Sequence, residues 1–176
     1  HGRVLGSRSV QIAIAATCTV AVIPDFDLRC RRGVVAGVDR HATAAMIARS
    51  AAREAKARGE ELLLVQAAPH PDPRLAASTR AELASGKAMA SARAAFPDLV
   101  VRSRVAGRPA AEALLDSARD KALLVLGPGS LGPARPPIGS VLHDVLLNVN
   151  APVLISRVVD DDRPCRPPGG VLDCKV

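Results

Sequence analysis

Residues 122–140 read ALLVLGPGSLGPARPPIGS, and this stretch decides the fold that we expect for the whole sequence. The segment Ala122–Leu126 has the length and apolar composition of a buried β-strand. It leads directly into Gly127 and a run rich in glycine and proline, and an amphipathic pattern with helical spacing begins at Gly139-Ser140. A strand, a glycine-rich turn and a helix in this order are typical of α/β proteins. We therefore expect any small-molecule chemistry of the chain at the loop from Gly127 to Ser140.

The same alternation of strand and helix extends through most of the sequence. Short apolar or alternating segments predict five strands, at residues 33–39, 62–66, 99–105, 122–126 and 152–156. The segments between them predict helices at 43–58 and about 75–95, one that opens at Gly107-Arg-Pro109, and one that starts at Gly139-Ser140. This order predicts a five-stranded parallel sheet with helices on both faces. In such sheets ligands bind beyond the carboxyl ends of the strands, where the strand order reverses.

The composition limits the classes of protein to which the chain can belong. Its 176 residues suffice for one domain with a buried core, and 48% of them are apolar. The chain has no Trp or Tyr and two Phe, so it lacks the aromatic platforms on which single-stranded nucleic acids stack. The net charge of +7 comes from basic residues interleaved with acids, as on the helix face of Arg49, Arg53 and Lys56. We therefore expect a solvated helix face and no specific nucleic-acid partner.

The cysteines and the first apolar run bear on the location of the protein. The four cysteines form no CxxC pair and have no histidines at zinc-ligand spacing, which favours a reduced, cytoplasmic protein without a metal site of its own. The run Val10–Ile23 is too short to span a bilayer. Because an internal repeat accounts for this run, we expect neither a targeting peptide nor a membrane segment.

The internal repeat relates the start of the sequence to its last helix and strand. A shift of 133 positions, from 6 to 139, places Gly6-Ser7 on Gly139-Ser140 and Thr19–Ile23 on Pro152–Ser156 without a gap. The first 24 residues are therefore predicted to be the last helix and strand of a preceding copy of the same unit. Chance similarity between two amphipathic helix–strand pairs is the alternative.

These patterns divide the chain into four parts. Residues 1–24 are the predicted remnant of a preceding domain, residues 25–32 are a linker, and residues 33–157 are a complete α/β domain. Residues 158–176, which include DDRPCRPPGG, have the composition of a disordered tail. We assign no site to this tail.

Five segments of residues 33–157 resemble the universal stress protein family, in the tandem form in which two similar domains follow one another. They are the first strand ending in Asp39, Val105-Ala-Gly-Arg-Pro109, Leu124-Val-Leu-Gly127, Ile138-Gly-Ser-Val141 and Ala151-Pro-Val-Leu-Ile155. The resemblance implies a Rossmann-like fold of the adenine nucleotide alpha hydrolase-like type. It also implies a stress-response role without enzymatic activity, and ATP as a ligand, with Mg²⁺ only as the companion of ATP.

The resemblance further implies where the nucleotide would lie. The ATP-binding pattern of the family is a Gly, two residues, a second Gly, nine residues, and a Gly followed by Ser or Thr. In it, glycine N–H groups and a helix N-terminus hold the phosphates. By this resemblance Asp39 contacts ribose or adenine, and Ala67 and Val105 line the adenine pocket. The phosphate-binding candidates are Gly127, Gly139, Ser140 and Val141, and the remaining candidates around the site are Gly37, Gly107, Leu126, Gly129 and Ser130. No residue receives a catalytic or metal-binding role.

The sequence departs from the family pattern within the loop. The second glycine is replaced by Ser130, the spacer that follows is one residue short, and Pro133, Pro136 and Pro137 each lack a backbone N–H donor. Arg40-His41 also replaces the usual small residues after the first-strand acid. Each lost charge-assisted hydrogen bond would weaken phosphate binding by about 1.5–3 kcal/mol.

Three functions stay open on sequence grounds. The first is a non-enzymatic regulator that binds ATP or another adenine nucleotide between Asp39 and Ser140. The second, favoured by the proline-rich loop, is an interaction module that dimerises through its last strand and whose nucleotide site has decayed. The third is a slow ATP hydrolase, which is disfavoured because the sequence has no GxxxxGK[ST] loop and no glycine-flanked nucleophilic serine.

The last strand is the expected contact between units. Dimers and tandem pairs of the family that the sequence resembles meet along this strand. Thr19–Ile23 is therefore expected to pair with Pro152–Ser156, within the chain or from a second chain, giving a pseudo-dimer or a homodimer. Such pairing would cover an apolar sheet edge that otherwise promotes aggregation.

Overall fold

The computed structural model describes residues 7–16, 18–25, 27–39, 43–68, 76–128 and 140–157. The strands in these ranges are β1 (Val20–Val22), β2 (Val34–Gly37), β3 (Leu62–Ala67), β4 (Val101–Ala106), β5 (Leu123–Leu126) and β6 (Val153–Ile155). The helices are α1 (Ser7–Ala15), α2 (Ala44–Arg58), α3 (Ala76–Ala95), α4 (Ala110–Ala118) and α5 (Ser140–Leu147).

The strands form one sheet in the order β1-β6-β5-β2-β3-β4. Neighbouring strands from β2 to β6 are parallel, which confirms the α/β fold that the alternation of strands and helices predicts. β1 lies at one edge and runs antiparallel to β6. The expected five strands are therefore corrected to six, because the N-terminal segment pairs with the same sheet.

The strand order reverses between β2 and β5. From β2 the chain builds outward through β3 to β4, and β5 then lies on the other side of β2, followed by β6. Ala36 of β2 lies opposite Val125 on one side and opposite Leu64 on the other. The carboxyl ends of β2 and β5 are thus neighbours at the point where open α/β sheets form a ligand crevice.

Two apolar layers cover the sheet. On one face, side chains of α1, α4 and α5 pack around Val35, Val65, Leu124, Val153 and Ile155. On the other face, side chains of α2 and α3 pack around Val34, Ala36, Leu62, Leu64 and Val125. Because both faces of the central strands are buried, these strands appear in the sequence as continuous apolar runs.

Helix α2 shows how small side chains bring a helix close to the sheet. Its inward face contains the fully buried Ala48, Ala51, Ala52 and Ala55. Its outward face contains the exposed Arg49, Arg53 and Lys56, as the sequence predicts. The helix ends at Gly59, whose N–H donates to the carbonyl oxygens of Ala55 and Lys56 and whose φ of 64° turns the Glu60 N–H back to the Ala55 carbonyl oxygen (2.9 Å).

Four strands begin one or two residues later than the sequence predicts, and three of these starts have a local reason. β2 begins at Val34, because Gly33 has a φ of 83° outside the β region. β4 begins at Val101, because the Leu99 N–H closes a turn by donating to the Phe96 carbonyl oxygen (3.1 Å). β6 begins at Val153, since the preceding Pro152 has no N–H to donate.

The N-terminal segment packs against the end of the sheet. Val20 lies opposite Ile155, Ala21 opposite Leu154 and Val22 opposite Val153. Val10 and Ala13 of α1 are buried in the same layer as α5. The expected pairing of Thr19–Ile23 with Pro152–Ser156 is therefore confirmed within one chain. The origin of residues 1–24 in a preceding copy stays a prediction.

Residues 27–33 connect β1 to β2 along the amino edge of the sheet. The Arg31 guanidinium donates to the Asn150 carbonyl oxygen (2.6 Å), and the Arg32 N–H donates to the Asp120 carbonyl oxygen (3.4 Å). The Glu60 carboxylate accepts a hydrogen bond from the Gly33 N–H (2.8 Å) and pairs with the Arg32 guanidinium (3.3 Å). These contacts fix the path by which the chain crosses β6 and β5.

Candidate functional site

The carboxyl end of β2 forms the centre of the candidate site. β2 ends at Gly37, and the Val38 N–H extends the ladder by donating to the Val65 carbonyl oxygen (3.0 Å). Asp39 follows directly and is exposed. Because side chains alternate along a strand, Gly37 and Asp39 share the α4/α5 face of the sheet with the buried Val35. The expected acid therefore lies at the point where the strand order reverses.

Gly37 allows β2 and β5 to pack closely at this point. A Cβ on Gly37 would lie 2.7 Å from Leu126 Cδ2 and 3.0 Å from Leu114 Cδ2. Leu126 is the last residue of β5, is buried, and accepts a hydrogen bond at its carbonyl oxygen from the Ser156 N–H (2.8 Å). Two leucine side chains thus form an apolar floor next to Asp39.

The chain leaves β5 and enters α5 at the same edge. Gly127 is partly buried and Pro128 is buried directly after β5. Ser140, the first residue of α5, is exposed, whereas Val141 is partly buried and packs against the α4/α5 layer. Because the Val141 side chain packs against this layer, Val141 could bind a ligand only through its backbone N–H.

The helix ends at this edge favour a negatively charged ligand. Both α2 and α5 follow a strand that ends at the switch point, and neither has an acidic residue in its first turn. Thr43, which precedes α2, makes no side-chain capping hydrogen bond. By contrast, α4 has Glu112 in its first turn. Helix N-termini without an acidic side chain attract anions through their N–H groups and the positive end of the helix dipole.

The two expected adenine-pocket residues lie further along the edge. Ala67, the last residue of β3, lies opposite Ala106, and the Ala68 N–H donates to the Ala106 carbonyl oxygen (2.8 Å). Val105 lies opposite Gln66 on the edge strand β4 and is 45% exposed. Ala106 packs in the α4/α5 layer, so the neighbouring Val105 side chain lies on the α2/α3 face. Ala67 lies on the α4/α5 face, so the structure places these two candidates on opposite faces of the sheet.

Some of the remaining candidate binding residues lie within the ranges that the structure describes, and others lie outside them. Gly107 follows β4, is exposed, and has no atom within 4 Å of an added Cβ. Gly129, Ser130 and Gly139 lie outside the described residues, as do Arg40-His41. Among the described candidates, the structure therefore aligns the ends of β2, β3 and β5 at one edge of the sheet.

Three residues near this edge were not expected from the sequence. Gln66 is 2% exposed, and its Oε1 has no hydrogen-bond partner within the described part of the chain. The buried Ser156 hydroxyl, just after β6, donates to the Ser50 hydroxyl of α2 (2.9 Å). In the sequence, the burial of Gln66 is indicated by its position as the single polar residue of the apolar run Leu62–Gln66. No local signal marks the pairing of Ser50 with Ser156, because their contact depends on the packing of α2.

The fold defines a class of protein: an α/β protein with a parallel sheet whose strand order reverses between β2 and β5. A sequence profile described as the Universal stress protein family matches residues 31–157, which is most of the chain. The chain therefore belongs to the universal stress protein family. No curated protein sequence matches the chain.

Solved structures of this family share the fold. A universal stress protein from Archaeoglobus fulgidus is 25% identical with a TM-score of 0.62, over 71% of this chain and 97% of its own. The universal stress protein from Archaeoglobus fulgidus in complex with dAMP is 24% identical with a TM-score of 0.58, over 72% and 98% of the two chains. A universal stress protein from Archaeoglobus fulgidus DSM 4304 is 16% identical with a TM-score of 0.63, over 90% of this chain but 56% of its own.

Two further observations concern the described ranges alone. No helix in them has the length and hydropathy needed to cross a bilayer. Among the same residues, no three His, Cys, Asp or Glu side chains are grouped as a metal site.

Proposed function

We propose that the protein is a non-enzymatic stress-response regulator that binds an adenine nucleotide at the carboxyl edge between β2 and β5. One observation supports the proposal: β2, which leads into Asp39, pairs with β5 where the strand order reverses. This is the place where open α/β sheets hold nucleotides. Membership in the universal stress protein family and the dAMP complex of the Archaeoglobus fulgidus protein support it.

Each part of the crevice has a chemical role in this proposal. The exposed Asp39 carboxylate accepts hydrogen bonds from ribose hydroxyls or from the adenine amino group. Ala67 and the apolar floor of Leu114 and Leu126 contact the base. The N–H groups at the start of α5 and the Ser140 hydroxyl bind phosphate oxygens, and the helix dipole adds to this attraction.

The loop composition bears on which adenine nucleotide binds. Between Gly127 and Ser140 the sequence has three prolines without N–H donors and Ser130 in place of the second family glycine. Fewer N–H donors stabilise β- and γ-phosphates less than an intact loop would. We therefore expect a nucleoside monophosphate to bind at least as tightly as ATP. Mg²⁺ would enter only with ATP, coordinated by its phosphates.

The direct test is thermal unfolding with millimolar AMP, dAMP, ATP and ATP with Mg²⁺, followed by calorimetric titration. A ligand at one hundred times its dissociation constant stabilises a folded protein by about 2.7 kcal/mol. Asp39→Asn replaces a charged acceptor by a neutral one and Ser140→Ala removes a hydroxyl, so each should weaken binding about tenfold or more. Asp98→Asn is the matched control, because Asp98 is an exposed acid in the turn before β4, at the opposite edge of the sheet.

The outcomes separate the candidate functions. If no adenine nucleotide shifts the unfolding temperature, the binding proposal is lost, and the alternative of an interaction module with a decayed nucleotide site replaces it. In that alternative the contact with a partner would be made at the edge of β6, which β1 of the same chain occupies in the structure. Steady-state phosphate release from ATP that disappears in Asp39→Ala would instead support a slow hydrolase and contradict the non-enzymatic proposal.

A further inference from the structure

Strand β4 forms the edge of the sheet that lies opposite to β1. Among the described residues it pairs on one side only, with β3, from Val101 to Ala106. Its four middle residues, 102–105, are all exposed. Val100, directly before β4, is 55% exposed, and Val105 near its end is 45% exposed. An exposed strand edge with apolar side chains is a place where a further strand can add to a sheet.

The backbone of β4 directs the hydrogen-bonding groups of Ser103 and Val105 away from the sheet. The Ala68 N–H, which follows β3, donates to the Ala106 carbonyl oxygen (2.8 Å). The even-numbered residues of β4 therefore direct their N–H and C=O groups to β3. Successive residues of a strand direct these groups to opposite sides. The N–H and C=O groups of Ser103 and Val105 therefore lie along the outer edge of the sheet.

One acceptor on the outer edge is already occupied at its amino end. The Arg93 guanidinium of α3 donates to the Val101 carbonyl oxygen (3.1 Å). Because Val101 is odd-numbered, this contact agrees with the alternation along β4. Within the described residues, no backbone hydrogen bond reaches the outward groups of Ser103 or Val105. These two residues therefore offer one donor and one acceptor each, which suits an added strand of about three or four residues.

Two arginines give this edge a positive charge on one face of the sheet. Arg102 and Arg104 share the α4/α5 face with Ala106, because side chains alternate along a strand. The side chain of Arg102 is 71% exposed, and its guanidinium lies 3.5 Å from the Glu61 carboxylate. The same carboxylate lies 3.8 Å from the Lys121 ammonium group. Arg104 is exposed and makes no ion pair with any described residue, so the edge keeps a surplus of positive charge.

We propose that the outer edge of β4 binds an extended acidic segment of a partner protein, which adds to the sheet as a further strand. Acidic side chains at alternate positions of this segment pair with Arg102 and Arg104. The intervening side chains contact the exposed Val105 on the α2/α3 face. Each outward residue of β4 offers both a donor and an acceptor, and a second polypeptide backbone matches both. Phosphate groups are acceptors alone, so they leave the outward carbonyl groups without a donor.

The charge also distinguishes an acidic partner from a second copy of β4. Two β4 strands side by side would bring the Arg102 and Arg104 side chains of both copies to the same face. Like charges that face each other across two strands destabilise their pairing. Charged side chains on edge strands commonly prevent self-pairing in this way. The two arginines therefore disfavour a second β4 and favour a strand with acidic side chains.

The test titrates the full chain with two capped hexapeptides of equal composition and charge, followed by amide NMR. In Thr-Asp-Val-Asp-Val-Thr the acids alternate, and in Thr-Asp-Asp-Val-Val-Thr they are adjacent. The alternating peptide should bind at least about fivefold more tightly, because both acids then reach the arginine face. It should also slow hydrogen exchange at the N–H groups of Ser103 and Val105. N-methylation of both valines should abolish binding of an antiparallel strand, and N-methylation of both aspartates that of a parallel strand.

Charge reversal in the protein gives a second readout. Arg102→Glu with Arg104→Glu should weaken binding of the alternating acidic peptide at least about tenfold, since it converts attraction into repulsion. The same variant should gain affinity for Thr-Lys-Val-Lys-Val-Thr. Arg49→Glu with Lys56→Glu is the matched control, because it makes an equal change of charge on the exposed face of α2. This control should leave the affinity for both peptides unchanged, and circular dichroism verifies that both variants are folded.

Four results would overturn the proposal. Two of them are equal binding of the two acidic hexapeptides and unchanged binding of both N-methylated forms, since either would show attraction between charges without strand addition. Polyphosphate that binds more tightly than the alternating peptide and equally slows exchange at Ser103 and Val105 would assign the edge to a phosphate polymer instead. Association of the full chain that rises with its concentration and disappears in Arg102→Glu with Arg104→Glu would assign the edge to a second copy.

Discussion

Gly37 and Leu126 face each other across the junction of β2 and β5, so closely that a Cβ on Gly37 would lie 2.7 Å from Leu126 Cδ2. The same Cβ would lie 3.0 Å and 3.3 Å from the two δ-carbons of Leu114. Both leucines are buried, at 4% and 5% exposure, so neither can move aside into solvent. We expect Gly37→Ala to lower the free energy of unfolding by about 1–3 kcal/mol, the usual cost of overpacking a core. Urea denaturation measures this change.

A matched control for Gly37→Ala is Gly107→Ala. Gly107 lies beyond β4 at the same edge of the sheet, and an added Cβ there meets no atom within 4 Å. This substitution should change the free energy of unfolding by less than about 0.5 kcal/mol. An equal loss for the two variants would show that the contact of Gly37 with Leu114 and Leu126 is not the cause. Nucleotide binding should weaken in Gly37→Ala alone, since the floor of the crevice must shift.

Substitution of two other glycines by alanine should change the free energy of unfolding in opposite directions. Gly86 lies on the exposed side of α3, with no atom within 4 Å of an added Cβ and no positive φ. Gly86→Ala should therefore raise the free energy of unfolding by about 0.5–1 kcal/mol, because glycine disfavours helix interiors. Gly59 ends α2 with a φ of 64°, which alanine adopts with strain. Although an added Cβ at Gly59 also meets no atom within 4 Å, Gly59→Ala should therefore lower the free energy of unfolding by about 1 kcal/mol. Thermal unfolding of the two variants measures both changes. A shift of the unfolding temperature with the same sign in both would contradict the explanation from backbone conformation.

The apolar runs and their glycine and proline boundaries were enough to predict the five parallel strands and the helices between them. Continuous apolar runs identify doubly covered strands because both faces are buried. The sixth strand could be located only through the repeat, since Val20–Val22 is short and has no pattern of its own. The resemblance identified Asp39 and the loop as candidate binding residues. It did not predict on which face of the sheet Val105 lies, because that depends on how the helices pack against the edge strand. The pairing of Ser50 with Ser156 depends on tertiary packing, which local sequence does not encode.

Glu60 should stabilise the amino edge mainly through its hydrogen bond with Gly33. The carboxylate of Glu60 is 13% exposed and accepts the buried Gly33 N–H at 2.8 Å, whereas the Arg32 side chain with which it pairs is 82% exposed. Glu60→Ala leaves this N–H without its acceptor and should cost about 1–3 kcal/mol. Arg32→Ala removes only an exposed ion pair and should cost less than about 1 kcal/mol. Urea denaturation of both variants separates the two contributions, and a larger loss for Arg32→Ala would reverse this assignment.

The two faces of α1 should respond differently to the same charged substitution. Val10 is 5% exposed and packs in the α4/α5 layer, whereas Ile12, two residues on, is 67% exposed. Val10→Lys must bury a charge or detach α1, so it should lower the free energy of unfolding by about 2 kcal/mol or more and expose the β6 edge. Ile12→Lys should change stability by less than about 0.5 kcal/mol and raise solubility, because it removes an exposed apolar side chain. Hydrogen exchange at Val20–Val22 provides the local readout: exchange should accelerate in Val10→Lys and stay unchanged in Ile12→Lys. Equal acceleration in both would show that α1 does not hold β1 on the sheet.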